Sequence, residues 1–318
     1  MTPLKFGERL EPLKRRQMLY HHFQCLNTLT SHSRGVQALA LSPDGRFLVS
    51  GGSDATLKFW NLPSGQEQQT WKIHRNIVAT IALSPDGKTL ASGSRDETAK
   101  LVDLQTGEIQ HTLRSFREQG HPQIASVAFS HDSQILFMGT DGGRASYWDV
   151  KTGQHLGYLG SMSRMAVSAD GKFLVGAYLD DLKIKDLIRV RAKQTMPTKQ
   201  TIKTPQSVIS SVAISPDSSL TLGGHNNGEI YLWNTHSGQN QGILKGHSDT
   251  VEALAIAPNG KVLASGGDVI KLWDLATQAE ICTLTGHTGY VMDLAFSPDS
   301  KLLVSGSLDK TLKIWGAA

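Results

Sequence analysis

The stretch Val36-Gln-Ala-Leu-Ala-Leu-Ser-Pro-Asp-Gly-Arg-Phe-Leu-Val-Ser-Gly-Gly-Ser-Asp-Ala-Thr-Leu-Lys-Phe-Trp60 decides the fold of this chain. It contains three short β-rich runs at 36–41, 47–50 and 56–60. Turn residues separate them, and Pro43 and Gly45 suit a tight turn because proline presets φ and glycine tolerates positive φ. Short β-rich runs between turn residues predict an antiparallel meander.

The same turn recurs along the whole chain with a period of about 42 residues, which is the length of a four-stranded propeller blade. Its third residue is Asp44, Asp86, Asp132, Asp170, Asp217, Asn259 and Asp299. An aromatic-acidic pair, or its remnant, ends at Asn61, Asp103, Asp149, Asp186, Asn234, Asp274 and Gly316. Two markers in phase predict an all-β, seven-bladed β-propeller with four antiparallel strands per blade. A β-sandwich would require the period to be accidental.

Composition places the chain in the ordinary globular class, with 318 residues, 39% hydrophobic residues and a net charge of +4. The two cysteines, Cys25 and Cys282, are too few for a disulfide framework and lack the spacing of a zinc site, which favours a reducing, cytoplasmic location. No apolar run is long enough for a signal-peptide core or a membrane span. We therefore expect neither export by that route nor a transmembrane segment.

From about residue 22 to the end, the chain resembles the WD-repeat (tryptophan-aspartate repeat) family. The resemblance implies a single propeller over 22–318 and an N-terminal extension over 1–21, for which the sequence allows a short helix. Repeats of such close sequence are similar to those of bacterial, especially cyanobacterial, regulators. The residues that carry the resemblance are Gly246-His247 and Trp273-Asp274 in unit six, and Gly286-His287, Ser297-Pro298-Asp299, Ser305-Gly306-Ser307, Asp309 and Trp315 in unit seven.

In that family a histidine, a serine, a turn aspartate and a tryptophan form a buried hydrogen-bonded chain within each blade. The matching residues here are His32, Ser50, Asp54 and Trp60 in unit one, and His287, Ser305, Asp309 and Trp315 in unit seven. A hydrolase triad has the same residue types, but near-copies in several units favour a structural network, since a triad is recognised by its geometry and roles. Buried imidazole and carboxylate groups also need partners.

The start of the chain is predicted to close the ring. The last unit stops at Trp315-Gly316 after three strands, and residues 23–30 match the fourth-strand sequence at 280–285. We therefore expect residues 23–30 to complete the last blade, which also removes an exposed sheet edge.

Units three to five depart from the repeat. The connection from the tryptophan position to the next histidine position is usually 14 residues, but it has five extra residues before His121 and six before Pro205. Unit four carries Tyr158 and Lys185 in the histidine and tryptophan positions. Neutral drift of a blade held by its neighbours explains this, and a functional insertion is the alternative. We read the shortened inner turn at Gly266-Gly267-Asp268 in unit six as a deletion without consequence for the fold.

The basic segment 183–203 is expected to be a solvated loop, because it has little aromatic character for base stacking. Binding of nucleic acid or an anionic surface through this segment is the second functional hypothesis. Its extra positive charges include Arg189, Arg191 and Lys193.

The leading functional hypothesis is a non-catalytic scaffold that binds one or more proteins, with no cofactor, no metal and no catalytic residue, and monomeric on its own. No glycine-rich phosphate loop and no His/Cys/Glu cluster with metal-ligand spacing appear in the sequence. An enzyme with a site in the central channel is the third hypothesis. Such a site would need a polar cluster that is not part of the repeat, and none is evident from the sequence.

The family resemblance implies that partners meet the face that carries the histidine turns. The turn Gly286-His287-Thr288-Gly289-Tyr290 is similar to a partner-contact turn of the signal-transducing G-protein β subunits. We expect Tyr290, Met292 and Leu308, beside Gln37, Ser53 and Arg95, to form the centre of the partner-binding face. Carried over by position, the face also includes Ile77, Gln123, Asp141, Leu179, Val208, Ser210, Asn226, Thr250 and Glu252.

Overall fold

The computed structural model of the chain describes residues 20–115, 122–187, 198–204 and 207–317. In these ranges the chain forms seven four-stranded antiparallel sheets. The first strands of consecutive sheets contact one another in order around a closed ring. The predicted all-β, seven-bladed β-propeller is therefore confirmed.

Each blade runs outward from its first strand at the centre to its fourth strand at the rim. Blades one to three comprise β2 (Val36–Leu41), β3 (Phe47–Gly52), β4 (Leu57–Asn61), β5 (Glu67–Trp71), β6 (Val78–Leu83), β7 (Thr89–Ser94), β8 (Thr98–Asp103), β9 (Ile109–Arg114), β10 (Ile124–Phe129), β11 (Ile135–Thr140), β12 (Arg144–Asp149) and β13 (His155–Ser161).

The remaining blades follow the same order, except that the rim strand of blade seven is β1 (Phe23–Leu29). Blades four to seven comprise β14 (Arg164–Val167), β15 (Phe173–Tyr178), β16 (Asp181–Asp186), β17 (Thr198–Lys203), β18 (Ile209–Ile214), β19 (Leu220–His225), β20 (Glu229–Asn234), β21 (Asn240–Lys245), β22 (Ala253–Ile256), β23 (Val262–Gly266), β24 (Ile270–Asp274), β25 (Glu280–Leu284), β26 (Val291–Phe296), β27 (Leu302–Ser307) and β28 (Leu312–Ala317).

The ring closes between the two ends of the described chain. Strand β1 pairs antiparallel with β28, from Phe23 opposite Ala317 to Leu29 opposite Leu312. The predicted completion of the last blade by residues 23–30 is thus confirmed. Tyr20, just before β1, is buried and donates a hydrogen bond from its hydroxyl to Ser300 O at 2.9 Å. Residues 1–19, which hold most of the predicted extension, lie outside the described residues.

The hydrophobic core lies between neighbouring blades. Leu39 and Leu48 of blade one pack in the same cluster as Val304 of blade seven. Small residues let the sheets approach: a Cβ added to Gly51 would lie 2.6 Å from Val78 Cγ1 in the next blade. Because every blade buries its two faces against its neighbours, the stability of one blade depends on the ring.

The strand order gives the propeller two distinct faces. The top face carries the connections that lead into each first strand and the hairpins between second and third strands. The bottom face carries the Ser-Pro-Asp-Gly-type turns and the connections between third and fourth strands. In the bottom turn of blade one, Ser42 Oγ donates to Asp44 Oδ1 at 2.6 Å, and blades two to five and seven repeat this bond.

The strands test two sequence assignments in blades three and four, of which one is wrong and one is correct. Tyr158 does not occupy the histidine position, because it lies in rim strand β13 opposite Ser146 and is exposed. The ladder between β12 and β13 has two register shifts, whereas the corresponding ladder of each other blade has one. The assignment of Lys185 to the tryptophan position is correct, since Lys185 pairs with Leu174 as Trp60 pairs with Leu48.

The two insertions lie on opposite faces. The extra residues before Pro205 separate β16 from β17, so they belong to a bottom connection. The extra residues before His121 follow β9 and precede β10, so they belong to a top connection. Residues 116–121, 188–197 and 205–206, which include the three basic residues of the second insertion, lie outside the described residues.

Candidate functional site

The four network residues of blade seven form one hydrogen-bonded chain. Trp315 Nε1 donates to Ser305 Oγ at 2.8 Å, and His287 Nε2 lies 2.7 Å from the same oxygen. His287 Nδ1 lies 2.7 Å from Asp309 Oδ2. Backbone N–H groups of Thr288 and Thr311 also donate to this carboxylate. The carboxylate therefore ties the histidine turn to the hairpin beside it.

The same chain recurs in other blades. In blade one, His32 lies 2.9 Å from Asp54 and 2.7 Å from Ser50, to which Trp60 donates at 2.8 Å. Blade six has equivalent bonds among His247, Ser265, Asp268 and Trp273. Blade two keeps the first three members as His74, Ser92 and Asp96, with Val102 in the tryptophan position.

Geometry argues against a nucleophilic role for these serines. Ser50 and Ser305 are fully buried, and each oxygen already receives a tryptophan N–H. A catalytic serine must be reachable by substrate and must have an oxyanion site beside it. The arrangement instead satisfies buried polar groups in the interior of each blade.

The protonation states follow from burial and from the hydrogen bonds. Burial lowers the pKa of His287, and the hydrogen bond to Asp309 opposes this only in part. Burial alone would raise the pKa of Asp309, but hydrogen bonds from Thr311, His287 and Thr288 outweigh it and lower that pKa to about 2. Asp54 has a pKa of about 2 for the same reasons. At neutral pH the network thus combines a neutral imidazole with an ionised carboxylate.

Blade five builds a different network. Its histidine is His225 at the end of β19, which lies 2.6 Å through Nδ1 from Ser207 Oγ. Gly223 stands where blades one, two, six and seven have the network serine. It leaves room beside the Trp233 ring, which a Cβ at this position would approach to 3.0 Å. His225 is fully buried and its Nε2 has no hydrogen-bond partner.

The central channel forms a cavity of about 420 Å³ that opens at the top face. Arg164 occupies a position on the first strand where the other blades carry Ala, Ser, Thr or Asp. Its guanidinium donates from Nε to Ser210 O at 3.0 Å and from Nη1 to Ala125 O at 3.2 Å. It therefore joins blades three, four and five across the channel wall. Five blades have a β-bulge just before this position, whereas the ladder of β14 has none.

Carboxyl groups line the same cavity as this arginine. Burial raises the pKa of Glu252, although the charge of Arg164 lowers it in part. Burial raises the pKa of Asp293 to about 7, even though its oxygens accept hydrogen bonds from Leu39 N and Leu294 N. Arg95 and Asp141 lie at the exposed rim of the same cavity. The channel thus holds an unrepeated polar cluster, and the expectation from the sequence that there is none was wrong.

The first-strand position that Arg164 occupies in blade four links neighbouring blades elsewhere in the ring. Asp293 accepts from Leu39 N across the junction between blades seven and one. Thr80 Oγ1 accepts from Val127 N between blades two and three, and Ser126 Oγ accepts from Met165 N between blades three and four. Ala38 and Ala253 stand at the same position in blades one and six. Side chains at this position therefore hold several of the blade junctions together.

The predicted partner-binding residues lie on the top face in two groups. Gln37, Arg95 and Met292 line the mouth of the channel, and Gln37 Nε2 donates to Ser53 Oγ at 2.9 Å. Tyr290 and Leu308 stand outside it, 38% and 41% exposed. Leu308 N donates to Tyr290 O at 2.9 Å, which holds the two side chains on one surface.

Sequence reasoning missed three residues of this face. Asp249 accepts a hydrogen bond from the Tyr290 hydroxyl, which raises the pKa of Tyr290. Arg164 was missed because the repeat markers lie outside β14, so the sequence did not show that this strand lacks the β-bulge that five other first strands have. Asp293 was missed because the sequence of β26 looks like an ordinary half-buried strand. Leu179, included by position, is 53% exposed and has a left-handed φ of 57°.

The prediction that segment 183–203 is a solvated loop was wrong for its described part, most of which lies in strands β16 and β17 of blade four. Lys185 is buried and donates from Nζ to Thr198 Oγ1 at 3.1 Å. Lys203 Nζ lies 3.7 Å from Asp181, and Lys199 Nζ stands 4.7 Å from the centre of the Phe173 ring. Within the described ranges, no group of three or more His, Cys, Asp or Glu side chains could hold a metal ion. No helix there has both the length and the apolar character needed to cross a membrane.

Comparisons with known proteins agree with this geometry. The family model described as WD domain, G-beta repeat matches six stretches, at 23–61, 65–103, 107–149, 197–234, 238–274 and 278–316. The stretch between 149 and 197, which contains most of blade four, is not matched.

Several curated proteins are similar to parts of the chain. Nuclear distribution protein nudF of Emericella nidulans is 29% identical over 285 residues, covering 80% of this chain and 62% of the relative. The WD repeat-containing protein WDS homolog of Arabidopsis thaliana is 24% identical over 254 residues, covering 78% and 48%. Periodic tryptophan protein 2 of the same plant is 28% identical over 167 residues, covering 50% and 18%. The chain thus spans between 18% and 62% of the length of these relatives.

Proposed function

The chain belongs to the WD-repeat family, and from that premise we propose that it is a non-catalytic scaffold that binds partner proteins on its top face. We propose further that it acts as a monomer in a reducing, cytoplasmic setting. The free thiols of Cys25 and Cys282 are consistent with that setting.

The observation that carries the proposal is the exposed pair Tyr290 and Leu308. Tyrosine is one of the residue types enriched at binding hot spots, and the surrounding contacts serve to exclude water from it. The blade does not need these two side chains for its own packing, because Val291, Leu294 and Phe296 fill the inward positions of β26 and are buried. Single exposed apolar residues are common, but here two of them are held together by a backbone hydrogen bond.

The test compares two tyrosines of similar exposure. Partners are first identified by chemical crosslinking of the purified protein in native cytosol and mass spectrometry. Tyr290→Ala should weaken their binding by about 2 kcal/mol or more, the threshold of a hot spot, without a change in melting temperature. Tyr158→Ala, at the rim of blade three and 42% exposed, should leave binding unchanged. If partners bound Tyr290→Ala as tightly as Tyr158→Ala and the parent, the partner-binding surface would lie elsewhere.

Binding of nucleic acid or an anionic surface through 183–203 remains the second proposal. It is less well supported, because Lys185 and Lys203 have partners within the blade. An enzyme with a site in the channel is the third. The cluster around Arg164 supplies charge and hydrogen-bond donors there, but the described residues that line the channel include no cysteine, histidine or lysine.

A further inference from the structure

A continuous line of contacts crosses the top face over blades six, seven and one. The Tyr290 hydroxyl of blade seven donates to Asp249 of blade six. Leu308 N donates to Tyr290 O, and the Leu308 side chain lies over Gly35 of blade one, where an added Cβ would come within 2.9 Å of Leu308 Cδ2. Asp249, Tyr290, Leu308 and Gly35 therefore form one track, which we call the top track. Its centre is apolar.

The blade-six end of the top track is acidic. The loops 248–252 and 266–269 contain Asp249, Glu252 and Asp268 and no lysine or arginine. Asp249 is exposed, and the Asp268 side chain is 33% exposed. The hydrogen bond to Asp249 and the charges of all three carboxylates raise the pKa of Tyr290, so the ring lies within their field.

The opposite end, on blades one and two, presents arginines. Arg34, next to Gly35, is exposed, as are Arg75 and Arg95. The carboxylates of these blades are turned inward: the side chains of Asp54 and Asp96 are only 8% and 10% exposed because they bind His32 and His74. Glu97 is half-buried in the same hairpin as Arg95, and Lys310 adds an exposed positive charge on blade seven. The exposed charge at this end is therefore mainly positive.

On the premise of the proposed function, we propose that the top track binds an extended protein segment whose side chains are basic, apolar and acidic in order from blade six to blade one. The basic side chain meets Asp249 and Asp268 beside the face of the Tyr290 ring, where carboxylates and an aromatic ring both attract a cation. The apolar side chain packs on Tyr290 and Leu308. The acidic side chain meets Arg34.

Each part of this segment has a different energetic role. Burial of the apolar anchor supplies most of the affinity, as at other hot spots. The exposed charges contribute little free energy each, but they set the direction of the segment and disfavour the reverse one. A polyanion such as nucleic acid complements only the arginine end and is repelled at blade six.

Selection from a display library of random twelve-residue peptides tests the proposal with the purified full-length chain. Enriched peptides should contain the basic, apolar and acidic residues, and their binding should be lost with Tyr290→Ala. Asp249→Asn keeps an oxygen for the Thr250 N–H and should weaken the selected peptides about two- to fivefold, more at low salt. Arg34→Gln should act similarly. Asp299→Asn and Arg46→Gln on the bottom face are matched controls and should leave binding unchanged.

Charge exchange distinguishes direction from mere charge. A double variant, Asp249→Lys with Arg34→Glu, should enrich peptides with the order reversed. Peptides that need Tyr290 but ignore both exchanges would overturn this inference and leave the proposed function standing. Peptides that bind Tyr290→Ala as tightly as the parent would overturn both.

Discussion

In blades one, two, six and seven, the carboxylate at one end of the buried network assigns the proton of the histidine. A carboxylate only accepts hydrogen bonds, so the histidine must carry its proton on Nδ1 and accept at Nε2 from the serine hydroxyl. The serine oxygen in turn accepts the tryptophan N–H. The order from tryptophan through serine and histidine to aspartate thus leaves no group unpaired in blade seven. This is the physical reason that these four residue types recur together.

Removing the carboxylate should weaken the pairing of the imidazole. Asp309→Ala removes the closest partner of His287 Nδ1, leaves only Thr311 Oγ1 at 3.3 Å, and deprives the Thr288 N–H of its acceptor. We expect a loss of about 1–3 kcal/mol in the free energy of unfolding. Asp299→Ala in the exposed bottom turn should cost less. Thermal and denaturant unfolding measure both.

The pH dependence of that stabilisation has a defined sign. The pKa of Asp309 is lowered to about 2 in the folded chain, so its contribution is complete above about pH 4 and is lost as pH falls towards 2. Asp309→Ala should remove this part of the acid sensitivity. If the variant were as stable as the parent, the network would have to be reconsidered as a catalytic group.

Asp293 should produce the opposite pH dependence. Burial raises its pKa to about 7 in the folded chain, so the folded state retains a proton that the unfolded chain releases near pH 4. The parent should therefore lose stability relative to Asp293→Asn as pH rises from about 4 to 7, by up to roughly 4 kcal/mol, and then level off. Denaturant melts of both proteins across this range measure the difference. A constant difference would mean that Asp293 is ionised throughout.

At the scale of strands, the closing strand β1 offers a matched pair of leucines. Leu29 is 4% exposed and packs with Val36 and Leu312 in the core between blades seven and one, whereas Leu26 is 44% exposed. Leu29→Ala should cost about 2–5 kcal/mol, as for other large-to-small core substitutions. Leu26→Ala should cost much less. If Leu29→Ala cost as little as Leu26→Ala, β1 would contribute little to ring closure.

The junctions between blades can be tested one hydrogen bond at a time. Thr80→Val keeps the side-chain volume but removes the acceptor of Val127 N, so we expect a loss of about 1–3 kcal/mol. Ala38→Ser adds a hydroxyl at the equivalent position of blade one and should gain at most about 1 kcal/mol by binding Ile81 N. Denaturant unfolding measures both. A neutral Thr80→Val would show that the amide is satisfied in another way.

Blade four shows what the sequence could and could not predict at this scale. The turn and tryptophan markers gave the number of blades and the closing strand, because they recur in phase. They could not reveal that β14 lacks a bulge, since the markers lie outside that strand, and so Arg164 in the channel was missed. The polar strand β17 was also hidden, because Thr198–Lys203 lacks apolar alternation. The excess length could therefore not be assigned to one side of β17.

At the scale of the whole molecule, the top track and the basic insertion of blade four belong to opposite faces of the propeller. Tyr290 and Leu308 lie on the top face, while the basic insertion joins β16 to β17 at the bottom. The corresponding connection in blade one is residues 62–66, and both connections begin with a buried leucine, Leu62 or Leu187, whose N–H binds a backbone carbonyl of its own blade. Blade one therefore provides a natural replacement for the insertion.

Replacing residues 187–197 by residues 62–66 should remove the insertion without changing the fold. Because the leucine and its hydrogen bond are kept, stability should change by no more than about 1 kcal/mol, as expected for a shorter surface loop. Peptides selected on the top track should bind within about twofold of the parent, since their contacts lie on the other face. Gel-shift titrations at low salt with single- and double-stranded probes should show no binding by either protein, because salt-sensitive phosphate binding needs an unpaired basic strip. Adding Tyr290→Ala to the replacement should still abolish peptide binding. If the parent bound nucleic acid and the replacement did not, or if the replacement lost its protein partners while Tyr290→Ala kept them, the bottom connection of blade four would be the functional surface.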